Sequence, residues 1–227
     1  MQWGGEGREE NLSSFWKSLT SQGENTSEQS GNQIAGFDAR FNFNLLSTLP
    51  SAIYSQLIGE DEASYMPTKY TFQLGGESNF ALSSGNNLKG YAEYTNTTAG
   101  ALGAEHPSVA YEHSVYKTGY RYRGRVLGAT FDNDAEVITL GGAYQQMEGQ
   151  LSKLSFSYMK LNEDGVPRGN TVSSNAEKLF YIEASHQLFL ADGKFKIGAS
   201  YQSKELNTFQ EDVDQTTIFT SWEYRFK

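Results

Sequence analysis

The chain contains no cysteine, which excludes a disulfide framework and any cysteine-ligated metal site. Proline is scarce, with 4 in 227 residues, so few positions would interrupt a ladder of paired strands. No stretch approaches the roughly 18 consecutive apolar residues that a membrane helix needs, and mean hydropathy is -0.57. Basic residues are outnumbered, 18 Lys and Arg against 27 Asp and Glu for a net charge of -9. That balance argues against a nucleic-acid partner, which wants clustered Lys and Arg. The opening Met1-Gln2-Trp3-Gly4-Gly5 has neither the basic start nor the apolar run of a signal peptide. On these absences alone the chain reads as a soluble acidic protein.

What is present points elsewhere. Aromatics make up 14% of the residues, Tyr and Phe contribute 14 each, and glycine reaches 23. Barrels of the outer membrane hide their apolarity by alternation, so an average hydropathy misses them. From Gln33 onward the period is two: Ala35, Phe37, Ala39, Phe41 and Phe43 fall on one face, Gly36, Asp38, Arg40 and Asn42 on the other. Charges such as Asp38 and Arg40 cannot face lipid cheaply, so their face looks into a polar lumen. The same grammar recurs at Tyr70–Leu74, Leu88–Tyr94, Leu154–Tyr158, Phe180–Leu190 and Phe195–Tyr201. It ends with Ile218, Thr220, Trp222, Tyr224 and Phe226 opposing Thr217, Ser221, Glu223 and Arg225.

Short turns belong on the periplasmic side and long loops outside. Leu45–Ser51, Ser83–Asn87, Met147–Gly149 and Ala191–Lys194 are the short turns; segments 1–32, 60–67, 98–135, 162–177 and 204–214 are the long ones. This predicts an all-β chain forming one barrel domain over 1–227: an external segment 1–32, barrel strands within 33–226, and a long external loop at 98–135. The count is nine spanning strands, beginning outside the cell. Single-chain bacterial barrels have an even number with both ends periplasmic, so the chain is expected to be the C-terminal part of a longer barrel. A tenth strand hidden in 1–32 or 98–135 is the alternative.

Within 1–32, Leu12, Phe15, Trp16 and Leu19 recur at helical spacing behind Asn11 or Ser13 as N-cap, predicting a short loop helix whose apolar face packs on the barrel rim. Glu6 and Arg8 in the preceding glycine-rich turn, with Asp38 and Arg40, are expected in a lumen or loop charge network. In 98–135, Tyr120-Arg121-Tyr122-Arg123-Gly124-Arg125 interleaves aromatics with guanidinium groups. Aromatic faces stack on sugar rings and Arg forks hold carboxylates, so Trp16, Tyr116, Tyr120, Arg121, Tyr122, Arg123 and Arg125 are the candidate carbohydrate contacts. The plainer reading pairs these arginines with nearby acids or lipopolysaccharide phosphates. Asp132, Asn133 and Asp134 could ligate calcium but lack the spacing of an EF-hand loop, and no metal or other cofactor is expected. A catalytic Ser-His arrangement needs a serine beside one of the three histidines, His106, His113 and His186. Ser185, next to His186, points to the opposite face, which leaves only a cross-strand serine, and the chain is read as non-enzymatic.

The stretches QWGGEGREENLSSFWKSLT, NQIAGFDARF, IGEDEASYMPTKY, GYRYRGRVLGATFDNDAEVITLGG and the terminal WEYRF resemble the C-terminal half of the capsule assembly protein Wzi family. The resemblance implies an integral outer-membrane protein whose full barrel has 18 strands, of which this chain supplies half. It implies a lectin-like role in which external loops bind capsular polysaccharide and help attach the capsule to the surface. The implied partners are that polysaccharide, outer-membrane lipid and lipopolysaccharide, the barrel-insertion machinery and the missing N-terminal half. The alternatives are a porin-like diffusion channel and, further off, an outer-membrane lipid hydrolase.

Overall fold

The computed structural model describes residues 2–5, 7–20, 31–46, 48–59, 62–63, 66–67, 69–100, 109–113, 116, 118–167, 169–190, 193–204, 206 and 213–224. The fold is all-β. Among the described residues nine long strands make one antiparallel sheet: β1 (Ala35–Leu45), β2 (Leu49–Gly59), β3 (Tyr70–Ala81), β4 (Asn87–Asn96), β5 (Ala135–Gln145), β6 (Leu151–Leu161), β7 (Glu177–Leu190), β8 (Gly193–Gln202) and β9 (Gln215–Tyr224). Each pairs with the next in sequence, so the sheet is a meander with β1 and β9 at its edges. The segments expected to hide a tenth strand hold only two-residue ladders among the described residues: Gln2–Trp3 with Gly31–Asn32, and Arg121–Tyr122 with Arg125–Val126.

Period two becomes two chemically different walls because side chains alternate across a strand. Directly paired rows cross the outward face: Ala92, Leu140, Phe156, Ile182 and Tyr201 form one, and Ile138, Tyr158 and Phe180 part of another. Most of these large apolar side chains are exposed, as are Phe37, Phe41 and Trp222. An exposed apolar surface of this extent is the mark of a membrane-facing wall. The inward face is polar. Glu77 on β3 binds Arg40 of β1 (2.5 Å) and Lys89 of β4 (2.6 Å), and the Tyr54 hydroxyl donates to Glu93 (3.0 Å). Arg40 thus enters an inward charge network. Asp38 is exposed, and Glu6 lies outside the described residues.

Glycine has a defined use on this inward face. Tyr54, Tyr91 and Phe219 are paired with Gly75, Gly141 and Gly198 on neighbouring strands. A Cβ at those glycines would come within 2.2–2.4 Å of the ring atoms. Only glycine lets each ring lie down on the neighbouring strand.

Helix α1 (Leu12–Leu19) forms where expected, capped by Asn11 in a capping box with Ser14. Its orientation differs from the expected one. Leu12 is 83% exposed and Trp16 and Leu19 also face outward, while Ser18 is 2% exposed and Ser14 is buried. The reason is the Ser14 hydroxyl: it donates to the Glu9 carbonyl (2.7 Å) and accepts from the Asn11 N–H (3.0 Å) and the Trp3 indole (3.3 Å). Phe15 stands edge-on to Trp3 at 5.4 Å. Those bonds turn the serine side inward. At the other end, Trp222 and Tyr224 share the outward face of β9 with ring centroids 5.8 Å apart, and 225–227 lie outside the described residues.

The parity of the walls sets the first test. Leu140→Arg places a charge on the outward face, costing about 2–4 kcal/mol at the bilayer midplane. The heat-modifiable folded fraction on gels should fall. Thr139→Arg, one residue away, faces inward opposite Glu93 and should fold as the parent does.

Candidate functional site

The segment between β4 and β5 folds back as a compact unit organised by Tyr111. Ala110, Tyr111 and Tyr120 are buried together, with Ile34, Val126 and Ala129 packed against them. The Tyr111 carbonyl accepts the Tyr120 N–H (2.9 Å), and its hydroxyl accepts the Ala129 N–H (3.1 Å). Two glycines make room: a Cβ at Gly119 would strike the Tyr111 carbonyl and one at Gly128 its ring. Tyr122-Arg123-Gly124-Arg125 is a tight hairpin with positive φ at both central residues, 51° and 75°, the geometry of a two-residue type I′ turn.

This unit is fastened by Arg121, whose side chain is largely buried. It donates to both carboxylate oxygens of Asp132, Nε to Oδ2 (3.0 Å) and Nη2 to Oδ1 (2.7 Å), and its third nitrogen pairs with Glu112. Asp132 is fully buried and also receives the Thr171 N–H (3.0 Å) and hydroxyl from the β6–β7 loop. Its carbonyl accepts the Thr97 hydroxyl (2.7 Å). Burial alone would raise the Asp132 carboxyl, but Arg121 and Thr171 hold it below the ordinary carboxylate range. The Asn170 amide donates to the carbonyls of Phe131 (2.8 Å) and Asn133 (2.6 Å), joining the same two loops. Below them, Ala135, Leu161 and Leu179 form an apolar cluster with Phe131, Met159 and Val172.

Under the roof made by residues 127–131 lies a cavity of about 470 Å³. Its floor is the inward face of β2–β4, with Gln56, Gln73, Glu93 and Thr95, and its aromatic walls include Tyr111 and Phe131. Amides, a carboxylate, hydroxyls and ring faces around one hollow supply both hydrogen-bonding partners and stacking surfaces for a polar ligand with an apolar face.

The candidate residues separate by burial. Tyr122 is 63% exposed, and Arg123 lies over its ring at 5.4 Å. Arg125 is exposed as well, and so is Trp16 on α1. Tyr120, at 7% exposure, and Arg121 are spent inside the loop unit. Tyr116 is half-buried, its N–H donating to the His113 ring nitrogen Nδ1 (3.0 Å). Burial raises its hydroxyl above the ordinary phenol value, with the charge of Arg8 acting in the opposite sense. Tyr111, Glu112 and the floor residues of the cavity were not singled out by the sequence. The cross-strand partner of His186 proves to be Ser152, Oγ to Nδ1 2.9 Å, on the outward face. Among the described residues no carboxylate joins that pair. His106 lies outside the described residues.

The comparisons with known proteins agree with this architecture. Residues 1–218 match the family model of the capsule assembly protein Wzi. Over 77 residues the chain is 46% identical to an uncharacterized 55.8 kDa protein in the cps region of Klebsiella pneumoniae, covering 34% of this chain and 15% of that protein. The fold matches, with a TM-score of 0.78 at 24% identity, the Escherichia coli outer-membrane protein Wzi, a carbohydrate-binding β-barrel involved in group 1 capsule assembly. That match covers 98% of this chain and 45% of the solved one, so the chain spans less than half the length of either relative. With its residues 1–218 matched, the chain belongs to the capsule assembly protein Wzi family.

Proposed function

We propose that this chain is the C-terminal half of an 18-stranded barrel that binds capsular polysaccharide at the cell surface and helps attach the capsule, without catalysing a reaction. The observation that carries the reading is the cavity beneath residues 127–131, with its amide, carboxylate and aromatic lining, beside an exposed Tyr122-Arg123-Arg125 edge. A polysaccharide needs dense hydrogen bonding to its hydroxyls and flat surfaces for its ring faces, and acidic sugars need cations. Gln56, Gln73 and Glu93 offer the first, Tyr111 and Tyr122 the second, Arg123 and Arg125 the third. The nine strands leave two edges for the remaining half of the barrel, and the outward wall for lipid and lipopolysaccharide.

A porin-like channel is the competing reading. It draws on the inward rings of Tyr54, Tyr91 and Phe219, which lie against the wall rather than across the lumen. The folded loop unit over the mouth favours the binding protein. A steady open conductance of porin size in planar bilayers would decide for the channel.

Tyr122→Ala combined with Arg123→Ala should weaken polysaccharide binding roughly tenfold, about 1.4 kcal/mol, and lower capsule retention, with the protein still heat-modifiable. Unchanged binding and retention in a folded variant would sink the assignment of this edge. Arg121→Ala acts differently, because it strands a buried Asp132 carboxylate. A loss of about 3–5 kcal/mol is expected, read as a lower melting temperature and faster tryptic cleavage within 121–131. The Asp132 carboxylate, depressed in the fold, contributes its stability above the unfolded value of about 4. That contribution is lost as pH falls through the depressed value, so the loop should stay closed in mild acid and loosen only below it.

A further inference from the structure

Toward the long-loop end the outward wall changes chemistry row by row. The apolar row through Leu140 and Phe156 is followed by one of Tyr94, Ile138, Tyr158 and Phe180. Beyond it stand Asn96, Glu136, Lys160 and Lys178, each directly paired with its neighbour across the ladder. Tyr158 and Phe180 hold their rings 5.1 Å apart, and Phe72 stands 6.5 Å from Tyr94. Aromatic girdles border the apolar band of an outer-membrane barrel, where lipid chains give way to headgroups. The charged row therefore lies at headgroup depth, and its side chains point outward at the lipid, as those of the rows below do.

The charges of that row are unevenly matched. Glu136 is engaged by three donors: Lys160 Nζ at 2.6 Å, and the Tyr94 hydroxyl and Asn96 amide, both at 3.3 Å. Glu163 adds a longer contact to Lys160 at 3.8 Å. Glu136 flanks Lys160 on β5; on the other side, on β7, the residue directly opposite is Lys178. Lys178 is exposed, and among the described residues no carboxylate pairs with it. Its chain neighbour Glu177 belongs to the inward face and is held by Lys204 (2.5 Å). Two ammonium groups directly opposite on one face repel, and an anion seated between them turns that repulsion into attraction from both sides. Lysine binds phosphate in this way, as a point charge. Below the two lysines, Phe156, Phe180 and Ile182 are exposed and apolar, a surface for acyl chains. Phosphate above and acyl chain below is the plan of a lipid headgroup. This step rests on the proposed placement of the loops at the cell surface, where the leaflet is lipopolysaccharide.

We propose that Lys178 and Lys160 hold a phosphate group of lipopolysaccharide against the outward wall, with its acyl chains along Phe156, Phe180 and Ile182. The test uses the full-length protein in detergent, freed of lipopolysaccharide, with EDTA present so that no divalent cation bridges phosphate to Glu136 or Glu163. Added lipopolysaccharide should bind the parent and raise its melting temperature. Lys178→Gln should melt at or above the parent without lipid, and bind lipopolysaccharide about tenfold more weakly. Lys153→Gln, on the inward face of β6, should bind as the parent does. Inorganic phosphate and phosphatidylglycerol, added in parallel, should each bind more weakly than lipopolysaccharide. No binding by the parent, equal affinity in the parent and Lys178→Gln, or an equal response to phosphatidylglycerol overturns the site. Orientation is read separately, by labelling Val166→Cys in the β6–β7 loop of intact, acapsular cells with an impermeant maleimide. Absence of label there removes the placement of the loops, whereas labelling with unchanged lipid affinity in Lys178→Gln removes the phosphate site alone.

Discussion

A backbone that crosses lipid has no water to bond, so every N–H and C=O within the membrane must be paired inside the wall itself. The sheet meets this constraint with unbroken antiparallel ladders from β1 to β9, ten or eleven pairs long in most cases. Everything else follows from that ladder. Its pleat sends alternate side chains to opposite sides, which is why one wall is Phe, Leu, Ile and Tyr and the other Arg, Glu, Lys and Thr. The inward charges are affordable only because they find each other, Glu77 between Arg40 and Lys89. Irregular chain is confined to the ends of the strands, and that is where the candidate site lies.

At the end of the sheet that carries the long loops the packing principle changes. The loops hold a small apolar cluster, but the closest associations are polar and buried: Arg121 on Asp132, Thr171 on Asp132, Asn170 on two carbonyls. Such a network specifies one arrangement strongly because each half-made bond would leave a buried group unsatisfied. It holds residues 127–131 over the cavity and presents the Tyr122–Arg125 hairpin outward. A loop fixed in this way loses little freedom when a ligand arrives, which favours binding over mere coverage of the mouth.

The strands were legible because period two is local and the turn residues are short and chemically distinct. All four short connections between strands fall at the expected positions, with 47 and 191–192 outside the described residues. The helix was legible from its spacing and cap, but its facing was not. That facing depends on Ser14 meeting Trp3, eleven residues earlier. The alternation Tyr120-Arg121-Tyr122-Arg123 suggested four equivalent contacts. The fold divides them, since the ladder at Arg121–Tyr122 turns one neighbour in and the other out. The sign available in the sequence was acid on both sides of Arg121, at Glu112 and Asp132. Gln56, Gln73 and Glu93 were visible as inward polar residues, but their gathering depends on strand register and on a roof contributed by a distant segment.

The meander has one further consequence, which comes from counting rather than chemistry. In a sheet of nine antiparallel strands, the first and last run in the same direction. Two copies inserted the same way up would therefore meet along parallel seams at both joins, against the antiparallel rule of bacterial barrels. Only a companion sheet with an odd number of strands, its edges running the other way, can complete the wall with antiparallel seams. Handedness of direction at the two edges thus acts as a key. It constrains the direction of any strand that would pair along either edge with an antiparallel seam, whatever the side chains there.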